Sequence, residues 1–226
     1  SLQDNGGPTQ THALLPGSPA IGAGDPNTCA ADPVNQRDQR GFYRSSTYCH
    51  SGAFESICSR QTEIPWQECQ ALVILYDRTD GFNWTDSPTN NWTLTTTPCN
   101  WNGITCTGEH VTGIERQNRN LQGELPELTA LTELQTLDLA SNHLTGEIPP
   151  GSEFPSSLEQ LSLAGNQLEG AIPTSLTALS NLTTLDINYN QLTAATGLLS
   201  FLDDLNPGWD TTQTLPPTDL EATAQP

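Results

Sequence analysis

The feature that most constrains this chain is a repeat of fixed length. Leu134, Leu137, Leu139, Asn142, Leu144, Gly146, Ile148 and Pro149 recur 24 residues later as Leu158, Leu161, Leu163, Asn166, Leu168, Gly170, Ile172 and Pro173. A third copy opens with Leu182, Leu185, Ile187, Asn190 and Leu192 and then loses its Gly-Ile-Pro portion. Upstream, Val111, Ile114, Leu121, Gly123, Leu125 and Pro126 make a first, irregular copy. A period of this size means that each copy is one coil, too small to bury its own leucines and stable only against its neighbours. The fold class expected is therefore a repeat solenoid of about four coils, mainly β, with a 3-10 or irregular convex side.

The spacing within a copy has a direct physical reading. Alternation such as Leu137 and Leu139 marks a short strand with one face inward. Leu134 and Leu144 fill the same core layer from the flanking turns. Asn142, Asn166 and Asn190 stand where the chain leaves the strand, and an amide there has both donors and an acceptor for buried backbone groups. Removing Asn166 is expected to cost about 1–3 kcal/mol through unpaired backbone. Asn188, assigned to the exposed face, is expected to cost under about 0.5 kcal/mol. Gly146 and Gly170 allow a tight backbone, and Pro149 and Pro173 an extended return.

Such an array needs closing at its ends, and a closure precedes it. Residues 65–76 read as a helix with Ala71, Leu72, Leu75 and Tyr76 on one face, ended at Asp80-Gly81. Trp84, Trp92 and Trp101 follow, too many for a short connection unless they pack over the first coil. Six cysteines, Cys29, Cys49, Cys58, Cys69, Cys99 and Cys106, all precede the repeats. Their even number and the lack of any CxxC pair favour disulfides in an oxidising compartment over zinc, for which His12, His50, His110 and His143 are too scattered. The expected pairs are Cys99–Cys106, Cys58–Cys69 and Cys29–Cys49. The first closes a short loop, for which chain entropy gives about 2.5 kcal/mol.

Charge narrows the partners. The net charge is −19 and there is no lysine; after Arg119 no arginine occurs, while fourteen Asp and Glu follow. This repels nucleic acid phosphate and anionic membranes. No apolar run approaches the roughly 20 residues that span a bilayer. The chain has no methionine, so a processed product or a piece of something longer is expected, as a monomer. Catalytic signatures are missing: there is no phosphate loop, dinucleotide fingerprint, HExxH or GxSxG. Asp203-Asp204 are adjacent and so do not face each other. Asp25, Asn27, Asp32, Asn35 and Asp38 match no calcium-loop spacing and read as a solvated loop. No metal and no cofactor are expected, and no enzyme.

From Cys58 to Leu202 the chain resembles plant-type leucine-rich repeats with their N-terminal cap, in the form found in many large bacterial surface proteins. The motifs that carry the likeness are Ala71-Leu72-x-x-Leu75-Tyr76, Asn83-Trp84, Cys99-x-Trp101-x-Gly103-Ile104-x-Cys106 and the Asn-x-Leu-x-Gly-x-Ile-Pro repeats. Two positions depart from it: Arg116 stands at an inward leucine position and Arg119 at the ladder asparagine position of the first copy. Residues 1–57, with Leu15-Pro-Gly-Ser-Pro-Ala-Ile-Gly-Ala-Gly24 and Asp38-Gln-Arg40-Gly41, resemble the C-terminal end of bacterial right-handed parallel β-helix surface proteins. The expected organisation is a β-helix remnant over 1–57, a disulfide-bonded α-helical cap over 58–110, repeats over 111–205, and a Thr/Pro-rich linker over 206–226 whose Pro216 to Leu220 resemble the start of a fibronectin type III strand.

The candidate binding surface is the outward face of the repeat strands: Glu115, Gln117, Gln135, Asp138, Gln160, Ser162, Thr184, Asp186 and Tyr189. Within it Glu115, Asp138, Ser162 and Asp186 form an acidic stripe, and Tyr189 is an aromatic anchor of the kind favoured in binding sites. Asp138 and Asp186 are expected to point into solvent. The function expected is an extracellular, non-enzymatic module, from a bacterial surface or secreted protein, that binds protein or glycan. A spacer without ligand and an accessory region of a secreted carbohydrate-active enzyme are the alternatives.

Overall fold

The computed structural model describes residues 23–31, 38, 57–59, 61–87 and 89–213. Among them, a short helix α1 (Pro26–Ala30) is followed by the long cap helix α2 (Trp66–Arg78) and an antiparallel pair, β1 (Ile104–Thr107) and β2 (His110–Glu115). From β2 onward the coils add in parallel. β4 (Thr136–Asp138), β6 (Gln160–Ser162) and β8 (Thr184–Asp186) complete a five-stranded sheet in the order β1-β2-β4-β6-β8. On the opposite side of the coils, β3 (Gln122–Gly123) pairs with β5 (His143–Leu144), and β7 (Glu169–Ala171) with β9 (Gln191–Thr193). Turns of 3-10 type at Gly151–Glu153 and Thr174–Ala178 lead on to the next strand, and after β9 a third at Thr196–Leu198 runs into a last helix α3 (Leu199–Leu205). The protein is the expected solenoid of about four coils with a helical, disulfide-bonded cap.

Register explains the fixed period. Leu137, Leu161 and Leu185 are opposed across β4, β6 and β8, with Ile114 opposite Leu137, so the leucines stack in one buried column. The asparagines bind the coils to one another. Asn166 donates to Leu163 O at 2.9 Å in its own coil and Leu139 O at 3.0 Å in the preceding one, and accepts from Leu144 N at 2.9 Å. Asn142 and Asn190 repeat this pattern. Gly146 and Gly170 adopt φ of +78° and +85°, where a side chain is strained.

The last rung is a glutamine. Gln213 accepts from Leu192 N at 3.0 Å and donates to Ile187 O at 3.1 Å, while Asn206 accepts from Ile187 N at 2.9 Å. Trp209 is buried 24 positions after Leu185, where a further coil would set its inward leucine. Residues 206–213, expected to open a linker, therefore close the array instead. The fibronectin-like Pro216–Leu220 lies outside the described residues.

At the other end Cys58–Cys69 and Cys99–Cys106 are bonded as expected. Cys29 is also disulfide-bonded; its expected partner Cys49 lies outside the described residues, as do His12, His50, Asp32 and Asn35. Most of segment 1–57 is likewise undescribed. Within it, Asp25 caps α1 by accepting from Asn27 N and Thr28 N, and its Oδ2 accepts from the Thr28 hydroxyl at 2.7 Å. The Thr28 bond is the main reason its carboxyl sits below the usual range.

Candidate functional site

The outward face of the five-stranded sheet arises from the same alternation that buries the leucines. Glu115 pairs in register with Asp138, Asp138 with Ser162, and Ser162 with Asp186, so the stripe runs without offset across four coils. Two positions earlier, Gly113, Thr136, Gln160 and Thr184 form a neutral row. Glu115, Gln117, Gln135, Gln160, Thr184 and Tyr189 are exposed, while Asp138, Ser162 and Asp186 are half-buried.

Two of these residues do more than face solvent. Asp138 Oδ1 accepts from Ala140 N at 3.0 Å, and Asp186 Oδ1 accepts from Asn188 N at 3.2 Å and Asn188 Nδ2 at 2.7 Å. Each aspartate thus ties down the turn that ends its own strand. Asn188 also accepts from the Thr212 hydroxyl at 2.8 Å. The expectation that these side chains are free of the fold is corrected: a short polar side chain at a strand end finds the next turn's N–H before it finds water.

That turn has a recurrent conformation. Asn118, Ser141, Gly165 and Tyr189 occupy the same place in successive coils, and all four have φ between 54° and 65°. Asparagine and glycine tolerate this region, but an aromatic there is an outlier. Tyr189 holds it with its N–H donated to the Thr212 hydroxyl at 3.3 Å and its side chain 64% exposed. The sheet face is therefore a floor of small residues, Ala140, Ser141, Ala164 and Gly165, bounded at one end by Tyr189 and at the other by Gln117 and Asn118.

The first coil meets the cap through a residue that no pattern explains. Arg116 is 1% exposed; its guanidinium donates to Asp86 at 2.6 and 3.0 Å and to Asn102 O at 3.0 Å. It lies 4.5 Å from the Trp84 ring centre, a cation–π contact. Burial works against the Asp86 carboxylate, but the bonds from Arg116 and Asn90 outweigh it and hold its pKa below the usual range. Tyr76, Trp84, Trp92 and Trp101 form a chain of ring contacts beneath. Gly103 is fixed by this packing: at φ +81°, a Cβ there would lie 2.1 Å from Glu115 O. Nearby, buried Glu68 accepts from Val111 N at 2.8 Å and contacts His110 Nδ1 at 2.6 Å. That hydrogen bond raises the His110 pKa above its ordinary value.

A second concavity of about 580 Å³ lies between α2 and the first coil, lined by Trp66, Gln70, Ile74, Arg78, Leu125 and Pro126. Sequence reading missed it, because residues about fifty positions apart carry no common period. Among the described residues, no group of three His, Cys, Asp or Glu is arranged to hold a metal ion, and no helix is long and apolar enough to cross a membrane.

Residues 72–107 match the family described as leucine rich repeat N-terminal domain, and residues 132–192 the family described as leucine rich repeat. The cap and coils have the leucine-rich-repeat fold. The leucine-rich-repeat segment is similar to receptor-like kinase TMK4 of Arabidopsis thaliana, 37% identical over 73 residues, which are 32% of this chain and 8% of that protein. It is also similar to the probable inactive receptor kinase RLK902 of Arabidopsis thaliana, 45% identical over 56 residues, 24% of this chain and 9% of that protein. The chain thus spans under a tenth of the length of these relatives. Among solved structures, a plant ice-binding protein superposes with a TM-score of 0.52 at 25% identity, covering 64% of this chain and 47% of that one. These matches correct two expectations. The leucine-rich repeats and cap resemble those of plant receptor kinases, which conflicts with the expected bacterial and parallel β-helix context; residues 1–57 lie outside the family segments 72–107 and 132–192.

Proposed function

We propose that this chain is an extracellular, non-enzymatic binding module that takes a polypeptide bearing basic residues on the outward face of its five-stranded sheet. The observation that carries the reading is the in-register stripe of Glu115, Asp138, Ser162 and Asp186 beside a small-residue floor and an exposed Tyr189. Three carboxylates in one column, with Ser162 between Asp138 and Asp186, favour a cationic partner and speed its approach, and Tyr189 can stack on an arginine of that partner. The disulfides suit an oxidising, extracellular setting, and the receptor kinases among the relatives support a role in binding.

The test uses charge changes that spare the turns. Asp138→Asn and Asp186→Asn keep a carbonyl oxygen for Ala140 N and Asn188 N, and Glu115→Arg alters an exposed residue. The wild-type chain is screened against arrays of basic peptides, extracellular proteins and glycans. The triple variant should lose at least tenfold in affinity for basic hits with an unchanged melting temperature. Binding that survives the triple variant, or hits confined to neutral glycans, would overturn the reading.

A further inference from the structure

The chain contains three Asn-x-Thr triplets, Asn83-Trp84-Thr85, Asn91-Trp92-Thr93 and Asn181-Leu182-Thr183. We propose that Asn83, Asn91 and Asn181 are acceptors for N-linked glycans. The triplet is the acceptor signature for that modification; a short motif also arises by chance, and the fold sets these three amides apart.

Each triplet is anchored through its middle residue. Trp84, Trp92 and Leu182 are buried, whereas all three asparagines are exposed and Thr85 and Thr183 with them; Thr93 is half-buried. The backbone therefore presents asparagine outward while the intervening side chain holds the segment to the core.

Hydrogen bonding separates these amides from the structural ones. An asparagine amide has two hydrogens, and a glycan on Nδ2 replaces one of them. Asn181 Nδ2 donates only to Ser156 O at 2.8 Å. Asn91 Nδ2 reaches Asn100 O at 3.5 Å, and Asn83 Nδ2 reaches the single carboxylate of Asp80 at 2.9 and 3.1 Å. Each engages one partner group and retains a hydrogen to exchange. By contrast, Asn142, Asn166 and Asn190 are buried and each spends its amide on carbonyls of two coils. A sugar at any of those would break the ladder; at the three triplets one N–H remains for the single partner group, a carbonyl at Asn91 and Asn181 and the Asp80 carboxylate at Asn83.

In the transfer, Nδ2 forms a bond to C1 of an oligosaccharide carried on a lipid pyrophosphate. The C1–oxygen bond to the pyrophosphate breaks, the lipid pyrophosphate leaves, and the amide gives up one proton. The disulfides match the oxidising compartment in which such donors are used. None of the three asparagines is among the outward strand residues Glu115, Asp138, Ser162 and Asp186, so sugars there leave the stripe itself unmodified.

The experiment is to secrete the full 226-residue chain from a eukaryotic host, release N-glycans with an amidase, and map peptides by mass. Amidase release converts a glycosylated asparagine to aspartate. Conversion is expected at positions 83, 91 and 181 and at none of the exposed, triplet-free asparagines such as Asn100 and Asn118. Thr93→Ala and Thr183→Ala should abolish conversion at Asn91 and Asn181, and Thr93→Ser and Thr183→Ser should keep it. Secreted, disulfide-bonded protein with unmodified amides at all three positions would overturn the proposal. So would conversion that persists in the alanine variants.

Discussion

The cap and the coils solve the same problem by opposite means. In the coils one side-chain set is used again and again: leucines stack in register, and one asparagine per coil ties each turn to the coil before it. In the cap almost nothing repeats. Four aromatic rings, two disulfides, the Glu68 contacts and the Arg116–Asp86 pair each occur once and join residues far apart in sequence. Periodic packing spreads stability over equivalent interfaces, whereas a closing structure concentrates it in a few groups that have no substitute.

The sharpest way to break this comparison is at the joint. Arg116→Ala leaves Asp86 without its main partner and a hole beneath Trp84. A loss of about 3–5 kcal/mol is expected, as for a buried pair that loses one member. Replacing both partners, Arg116→Leu with Asp86→Leu, should recover most of it, because a leucine restores the ordinary coil position. Urea melts of the two variants check this, and equal losses would mean that the cap does not depend on the pair.

Within the coils, Asn166→Ala leaves Leu144 N unpaired and takes one of the two asparagine donors from each of Leu139 O and Leu163 O, which keep Asn142 and Asn190. A loss of about 1–3 kcal/mol is expected in the same assay. Asn188→Ala removes its bonds to Asp186 and Thr212, and about 1 kcal/mol is expected, rather than the cost under about 0.5 kcal/mol expected from the sequence. A cost indistinguishable from zero would mean that the C-terminal closure does not engage the last strand.

The smallest effect is one of pH. Because the folded pKa of His110 is raised, its contact with Glu68 contributes fully below the unfolded value of about 6.5 and is lost as pH rises through the higher folded value. Melting temperature should fall slightly over that window in the wild type. His110→Gln should flatten the slope, and an unchanged slope would remove the contact from the account.

What could be read in the sequence follows the same division. The coil period, the strand register and the acidic stripe were legible because a strand of period two inside a fixed repeat leaves its inward and outward sets in plain order. Arg116 was legible only as a departure from that order. Its partner Asp86 stands thirty residues upstream in a segment without period, and only packing brings them together. Gln213 was missed for a related reason: it does an asparagine's work with a longer side chain, from a stretch whose Thr and Pro content reads as linker. The carboxylates of Asp138 and Asp186 were placed correctly on the outward face, but their turn bonds depend on a left-handed residue three positions on, which composition does not announce.

The closure by Gln213, Asn206 and Thr212 has a consequence for assembly. The outer edge of the last coil meets amide and hydroxyl groups that occupy Ile187 N, Ile187 O, Tyr189 N and Leu192 N. A bare strand edge recruits other chains, and head-to-tail addition of parallel strands leads to open filaments. Here four of the backbone groups that a newcomer would need are already engaged by side chains of the protein itself, which opposes end-to-end growth at that edge.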